Sequence, residues 1–254
     1  MWDPAKYLSF GDHRARPFFD LLARVRVESP RAVVDLGCGP GNLTVTMAQR
    51  WPNARISAID SSAEMVAAAQ QRGVDASLAD LREWRPAEDV DVVISNAALQ
   101  WVPGHPELLG KWARELAPGS WIGVQVPANF AAPSHALIRE LVAEPAWFER
   151  LEPVRLREEN ATLGPDGYAE AMCAAGCHVD AWETTYLQQL DGADAVLEWI
   201  TGTALRPIRA ALSDADWQEF RAALAPRLAE AYPRRSDGTT WFPFRRVFVV
   251  ARVK

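Results

Sequence analysis

Asp35, Gly37, Gly39 and Gly41, with Asp60, Asp80 and Asn96 further along the chain, are the residues whose types and spacing point most directly to chemistry. Glycines at two-residue intervals permit positive φ and let a ligand lie against bare backbone. An apolar run precedes them and a helical pattern at 43–50 follows, which reads as strand, tight turn and helix start. Helix starts leave N–H groups without intrahelical partners. A carboxylate at a strand end can accept from two vicinal hydroxyls, each a donor. Together these features describe a cradle for a small molecule.

The elements that must position those residues follow from the hydrophobic pattern. Strands are expected at 31–35, 54–60, 75–79, 90–95 and 121–126, alternating with helical stretches that include 107–116. Such alternation implies parallel βαβ units. Val90-Asp91-Val92-Val93-Ile94 approaches the continuous apolar run of a strand buried on both faces. In the second half, 134–143, 146–150, 167–175, 193–204 and 214–232 read as helices, and 178–188 and 242–253 as two further strands. The expected organisation is an N-terminal helical lid at 1–29 and a ligand-binding core at 30–127. Two blocks, 128–165 and 191–240, interrupt the strands as a helical cap, and 166–190 and 241–254 complete the core. Ligands of open α/β sheets bind beyond the carboxyl ends of the strands, where such a cap is expected to exclude water.

Bulk properties narrow the function. The chain has 254 residues and a net charge of −6, which gives a nucleic-acid role no electrostatic support. No apolar stretch approaches the ~20 residues of a membrane span, and the first residues lack a signal-peptide core. Three cysteines, Cys38, Cys173 and Cys177, suit a reducing, cytoplasmic compartment. Cys173 and Cys177 have no second ligand pair at zinc spacing, so no metal site is expected. Arginine far outnumbers lysine, which occurs only at Lys6, Lys111 and Lys254. An arginine-rich chain is equipped for bidentate carboxylate recognition, although coding composition gives the same bias. The sequence leaves the oligomeric state open.

The cradle's ligand can be narrowed by elimination. The terminal Lys-Ser/Thr of a phosphate-binding loop is absent. A dinucleotide fingerprint places its third glycine sixth; here the sixth position is Asn42, which disfavours an NAD-dependent oxidoreductase. The spacing Asp35-x-Gly37-x-Gly39-x-Gly41 resembles the first motif of class I methyltransferases that use S-adenosylmethionine. The resemblance covers roughly residues 30–126 and implies a Rossmann-like, seven-stranded α/β sheet with a helical cap. It further implies cofactor-binding roles for Asp35, Gly37, Gly39 and Gly41. Asp60 is implied at the ribose hydroxyls, Met65 against adenine, Asp80 and Leu81 near the adenine amino group, and Asn96 and Ala97 along the methionine arm, with Ser61 and Trp101 also among the cofactor-binding residues. From the residues alone, helix N-caps are the alternative reading of Asp60 and Asp80, and core filling that of Met65.

A second resemblance spans nearly the whole chain. Met1-Trp2-Asp3-Pro4, Tyr7-Leu8, Val34-Asp35-Leu36-Gly37-Cys38-Gly39-Pro40-Gly41, Ser95-Asn96-Ala97-Ala98-Leu99-Gln100-Trp101, Leu116-Ala117-Pro118-Gly119-Ser120-Trp121, Trp182-Glu183-Thr184-Thr185-Tyr186-Leu187 and Phe242-Pro243-Phe244-Arg245-Arg246 are similar to the trans-aconitate 2-methyltransferase family. That family often carries His where this chain has Gln100. Membership implies a small polycarboxylate acceptor and a monomethyl ester product. Methylation of another small metabolite is the alternative.

A carboxylate acceptor is already ionised near pH 7. No catalytic base is then expected, and proximity and orientation must supply the acceleration. Candidate acceptor-binding groups are Tyr7, Phe10, His13 and Arg14 from the N-terminal segment, His105 after the fourth strand, Tyr186 on the sixth, Trp199 and Arg206 in the cap, and Arg245 on the last strand. Strand alternation puts Arg245 and Arg246 on opposite faces, and Arg245 is taken as the inward one.

Overall fold

The computed structural model describes residues 11–158 and 160–254, without the side chains of residues 11–14. Seven strands form one sheet: β1 (Ala32–Leu36), β2 (Arg55–Asp60), β3 (Asp75–Leu78), β4 (Val90–Asn96), β5 (Trp121–Pro127), β6 (Cys177–Asp191) and β7 (Thr239–Val253). Their order is β3-β2-β1-β4-β5-β7-β6. The pairs β3–β2, β2–β1, β1–β4 and β4–β5 are parallel, and β7 runs antiparallel to β5. β1 is buried along its whole length and β4 nearly so, as expected where helices cover both faces.

The strand order reverses between β1 and β4, which creates the switch-point crevice at their carboxyl ends. The loops beyond those ends meet there: a Cβ placed on Gly37 would lie 2.3 Å from Ala98 Cβ. Ser95 Oγ donates to the Leu36 carbonyl at 2.8 Å and fixes the two strand ends to each other.

The chain divides into two compact units. The sheet unit contains residues 12–127, 162–184 and 246–254. The helix Gly11–Leu22 belongs to it from residue 12 onward. Phe18, Leu21, Leu22 and Val25 are buried, and Leu21 and Val25 pack where Gly123 leaves β5 without a side chain. This corrects the lid reading for 12–29: the apolar stripe of that segment is spent on the sheet. Tyr7 and Phe10, and the side chains of His13 and Arg14, lie outside the described residues.

The second unit, residues 128–161 and 185–245 among those described, has its own core. Leu141, Trp147, Ile200, Leu205, Phe220, Leu224 and Phe242 are buried together. Its helices are Pro133–Val142, Pro145–Leu151, Ala195–Thr201, Arg206–Ala211 and Asp214–Ala231. The single helix expected at 193–204 is shorter, with Gly202 at its C-cap, and Pro207 opens a separate helix at Arg206.

Candidate active site at the carboxyl ends of β1, β2 and β4

The glycine turn after β1 is fastened from below. Gly37 and Cys38 donate their N–H groups to the Ile59 carbonyl at 2.8 and 3.1 Å, tying the turn to β2. Gly37, Gly39 and Gly41 all have positive φ (84°, 56° and 76°). Only one of the three faces space. A Cβ on Gly37 would strike Ala98 and one on Gly41 would strike Ala69, whereas one on Gly39 would meet nothing within 4 Å. Gly37 and Gly41 therefore serve packing, and Gly39 presents open backbone.

Asp60 ends β2 beside that backbone. Its Oδ2 accepts from Gly39 N and its Oδ1 from Ser62 N, both at 2.9 Å. The carboxylate thus orients the turn and retains lone pairs for further donors. Ser61 is exposed and Met65 half-buried. Ser62 caps the helix Ala63–Gln71 by accepting from Met65 N, so the N-cap is the serine and not Asp60.

Asp35 has a different role from the one expected. It is 3% exposed, and Thr44 Oγ1 donates to its Oδ2 at 2.6 Å. Burial, with a smaller contribution from the Asp60 charge, pushes its carboxyl up to about 7 against the lowering effect of Thr44. Asp35 braces the turn against the following helix and is shut off from a ligand. Asp80 is partly exposed and paired: Arg82 donates to its carboxylate from Nε and Nη2 at 2.5–3.1 Å, which holds it down at about 2. Leu81 is buried.

Beyond β4, Ala97 is the only non-glycine with positive φ among the described residues, at 56°. Such a conformation costs about 1–3 kcal/mol and clusters at functional sites. It persists because Ala97 N donates to the Gln125 carbonyl at 2.8 Å and Ala97 O accepts from Gln100 Nε2 at 2.6 Å. Asn96 Oδ1 and Gln100 Oε1 are buried acceptors with no donor among the described residues. These two acceptors make the edge beyond β4 polar. Trp101 is 51% exposed.

His105 does not face an acceptor. It is buried, with Nδ1 at 3.0 Å from the Val102 carbonyl and Nε2 at 2.6 Å from Tyr168 Oη. Burial lowers its pKa, so at neutral pH it is an uncharged strut. The arginine choice also reverses. Arg245 is exposed, whereas Arg246 is 5% exposed and donates from Nη1 to Gln125 Oε1 at 3.0 Å. Arg246 pairs with Pro127 in the register, at the same end of the sheet as the glycine turn. Alternation correctly separated the two arginines, but Phe242 and Phe248, on the even-numbered face, are fully buried and carry Arg246 inward with them. Gln125 escaped the sequence reading, although a glutamine inside the apolar run Val124–Val126 was the available signal.

In the helical unit, Trp199 is 2% exposed and packs edge-on to Phe242 and tilted on Phe244, which makes it core. Tyr186 is buried and Arg206 exposed.

The strand order, the glycine turn and the carboxylate at the end of β2 together define the class I methyltransferase fold. A methyltransferase-domain family model matches residues 33–119. The YcgJ protein from Bacillus subtilis superposes with a TM-score of 0.61 at 13% identity, covering 95% of this chain and 99% of that one. Geranyl diphosphate methyltransferase in complex with S-adenosylmethionine does so with a TM-score of 0.53 at 17% identity, covering 95% and 85%. A curated trans-aconitate 2-methyltransferase from Mycolicibacterium gilvum (strain PYR-GCK) is 60% identical over 254 residues, the full length of both chains. The chain belongs to the trans-aconitate 2-methyltransferase family. It is an S-adenosylmethionine-dependent methyltransferase.

Proposed function

We propose that this chain methylates a carboxylate of trans-aconitate, giving a monomethyl ester and S-adenosylhomocysteine. The observation that carries the reading is the full-length 60% identity to a relative of that name. The open backbone at Gly39 and the Asp60 carboxylate beside it fit the methyl donor. Gly39 would lie beneath its amino-acid part, Asp60 would accept from its ribose hydroxyls, Met65 would pack on adenine, and Asn96 and Ala97 would line the methionine arm. When bound, S-adenosylmethionine supplies an electrophilic methyl group on a sulfonium.

The chain's own work is then alignment and charge. A carboxylate acceptor is ionised near pH 7, so no residue has to take a proton from it. His105 agrees, since both ring nitrogens are engaged. Arg246, buried at the carboxyl end of the sheet and held by Gln125, would contribute positive charge toward an acceptor carboxylate, in place of Arg245. The acceptor is thus a small polycarboxylate; the net charge of −6 weighs against nucleic acid as a partner. No described helix is long and apolar enough to cross a membrane. Three free cysteines support a cytoplasmic setting.

Calorimetry with S-adenosylhomocysteine tests the cofactor map. Asp60→Ala removes an ionised hydrogen-bonding group worth about 1.5–3 kcal/mol, so affinity should fall roughly 10- to 100-fold. Unchanged affinity would remove Asp60 from the site.

A further inference from the structure

A row of polar residues crosses three strands of the sheet unit. Asn96 at the end of β4 pairs in register with Gln125 of β5, and Arg246 of β7 pairs with Pro127, two residues further along β5. Register partners, and residues two apart on one strand, project to the same side of a sheet. Asn96, Gln125 and Arg246 therefore share a face. Gln125 stands in the middle of the row, fully buried between Val124 and Val126.

The two ends of Gln125 hold different parts of the candidate site. Its side-chain Oε1 accepts from Arg246 Nη1 at 3.0 Å, and its main-chain carbonyl accepts from Ala97 N at 2.8 Å. The second bond closes the turn in which Ala97 has a φ of 56°. One residue thus ties the strained turn beyond β4 to the guanidinium on β7. Packing alone does not call for a glutamine here. Valine or leucine would fill a buried strand position without a polar atom, whereas the amide loses its hydration on burial. One of its atoms, Nε2, has no acceptor among the described residues, which adds to that cost. What the amide supplies in return is orientation. A neutral acceptor fixes the direction of a guanidinium without setting a negative charge beside it, whereas a carboxylate at the same point would offset the positive one.

We propose that Gln125 is a positioning residue for methyl transfer: its side chain sets the direction of Arg246, and its carbonyl holds the turn at Ala97 in the same frame. The consequence for the acceptor rests on the function proposed above; the hold on Arg246 does not. Gln125 acts through Arg246 and Ala97 and is not itself a contact of either reactant.

Two variants test this. Gln125→Met keeps the length and loses the acceptor atom, and Gln125→Glu keeps an acceptor atom and adds a charge. Neither alters the main-chain carbonyl, so calorimetric affinity for S-adenosylhomocysteine should stay within about twofold in both. Phenylglyoxal modification of Arg246, mapped by mass spectrometry, should be several-fold faster in Gln125→Met and no faster in Gln125→Glu. KM for trans-aconitate should rise at least about tenfold in both, with kcat moving less than KM. A role confined to packing lowers Tm and leaves these readouts in place. Arg246 modified at the unaltered rate in Gln125→Met, or faster in Gln125→Glu, would overturn the proposal, as would an unchanged KM in both variants. Should Gln125→Met fail to fold, Gln125→Glu decides: KM within about twofold of the unaltered value overturns it. Methyl transfer by the unaltered protein is scored separately. Absence of transfer to trans-aconitate defeats the acceptor reading alone, and the modification rates then decide the hold on Arg246; transfer with KM unmoved in the variants defeats the role of Gln125 alone.

Discussion

Asp35 illustrates how a single buried carboxyl changes the behaviour of a site. Its folded-state value of about 7 lies above the ordinary 3.8, so the native chain holds a proton that the unfolded chain releases. Native stability from this group is fully present below pH 3.8 and is lost as pH rises through about 7. At about 1.4 kcal/mol per pKa unit, the loss is at most about 4 kcal/mol. Urea denaturation of the ligand-free protein between pH 4 and 8 should therefore show a falling contribution that Asp35→Asn removes. Parallel pH profiles for the two proteins would contradict it. At this scale the sequence was partly legible. Asp60 stands beside the turn as its position at a strand end suggested. Asp35 and His105 have suitable types, but their burial and their partners, Thr44 and Tyr168, depend on packing that no local pattern encodes.

At the level of elements, the glycine turn separates packing from ligand access. Gly37→Ala would add a methyl group 2.3 Å from Ala98 Cβ at a positive φ, so it combines backbone strain with overpacking between the β1 and β4 loops. We expect it to lower stability by about 3 kcal/mol or more. Gly39→Ala meets only open space, and its cost to folding should stay near the roughly 1–2 kcal/mol of a left-handed backbone. The same methyl group would occupy the surface we propose for the methyl donor, so affinity for S-adenosylhomocysteine should drop at least about tenfold. Urea melts and calorimetry on the two variants check this split. If Gly39→Ala binds normally, the open face of the turn belongs to something else. Element positions were largely readable because buried parallel strands and glycine stops leave strong local signatures, as β1, β4 and β5 show. Less readable were the break at Gly202–Pro207 and the inward face of β7, where Pro243 interrupts the sequence pattern and the aromatic residues Phe242 and Phe248 decide the outcome.

For the whole molecule, the sheet unit brings acidic, neutral polar and cationic groups to the carboxyl ends of its strands. Acidic and neutral polar groups, Asp60, Asn96 and Gln100 among them, gather at the carboxyl ends of β2 and β4, where we propose that the methyl donor is held. Arg246, held by Gln125, is the complement we propose for a carboxylate acceptor in this net-acidic chain. The arginine excess was visible in composition, but the particular residues were not.

The central claim is that the methyl group arrives on a carboxylate oxygen of trans-aconitate. Incubation of the protein with trans-aconitate and S-adenosylmethionine labelled with carbon-13 at the methyl group, followed by NMR and mass spectrometry of the products, addresses it directly. The account predicts one labelled methyl ester per acceptor molecule, matched mole for mole by S-adenosylhomocysteine. A labelled methyl on carbon or nitrogen, or no product from trans-aconitate while another metabolite is methylated, would contradict it.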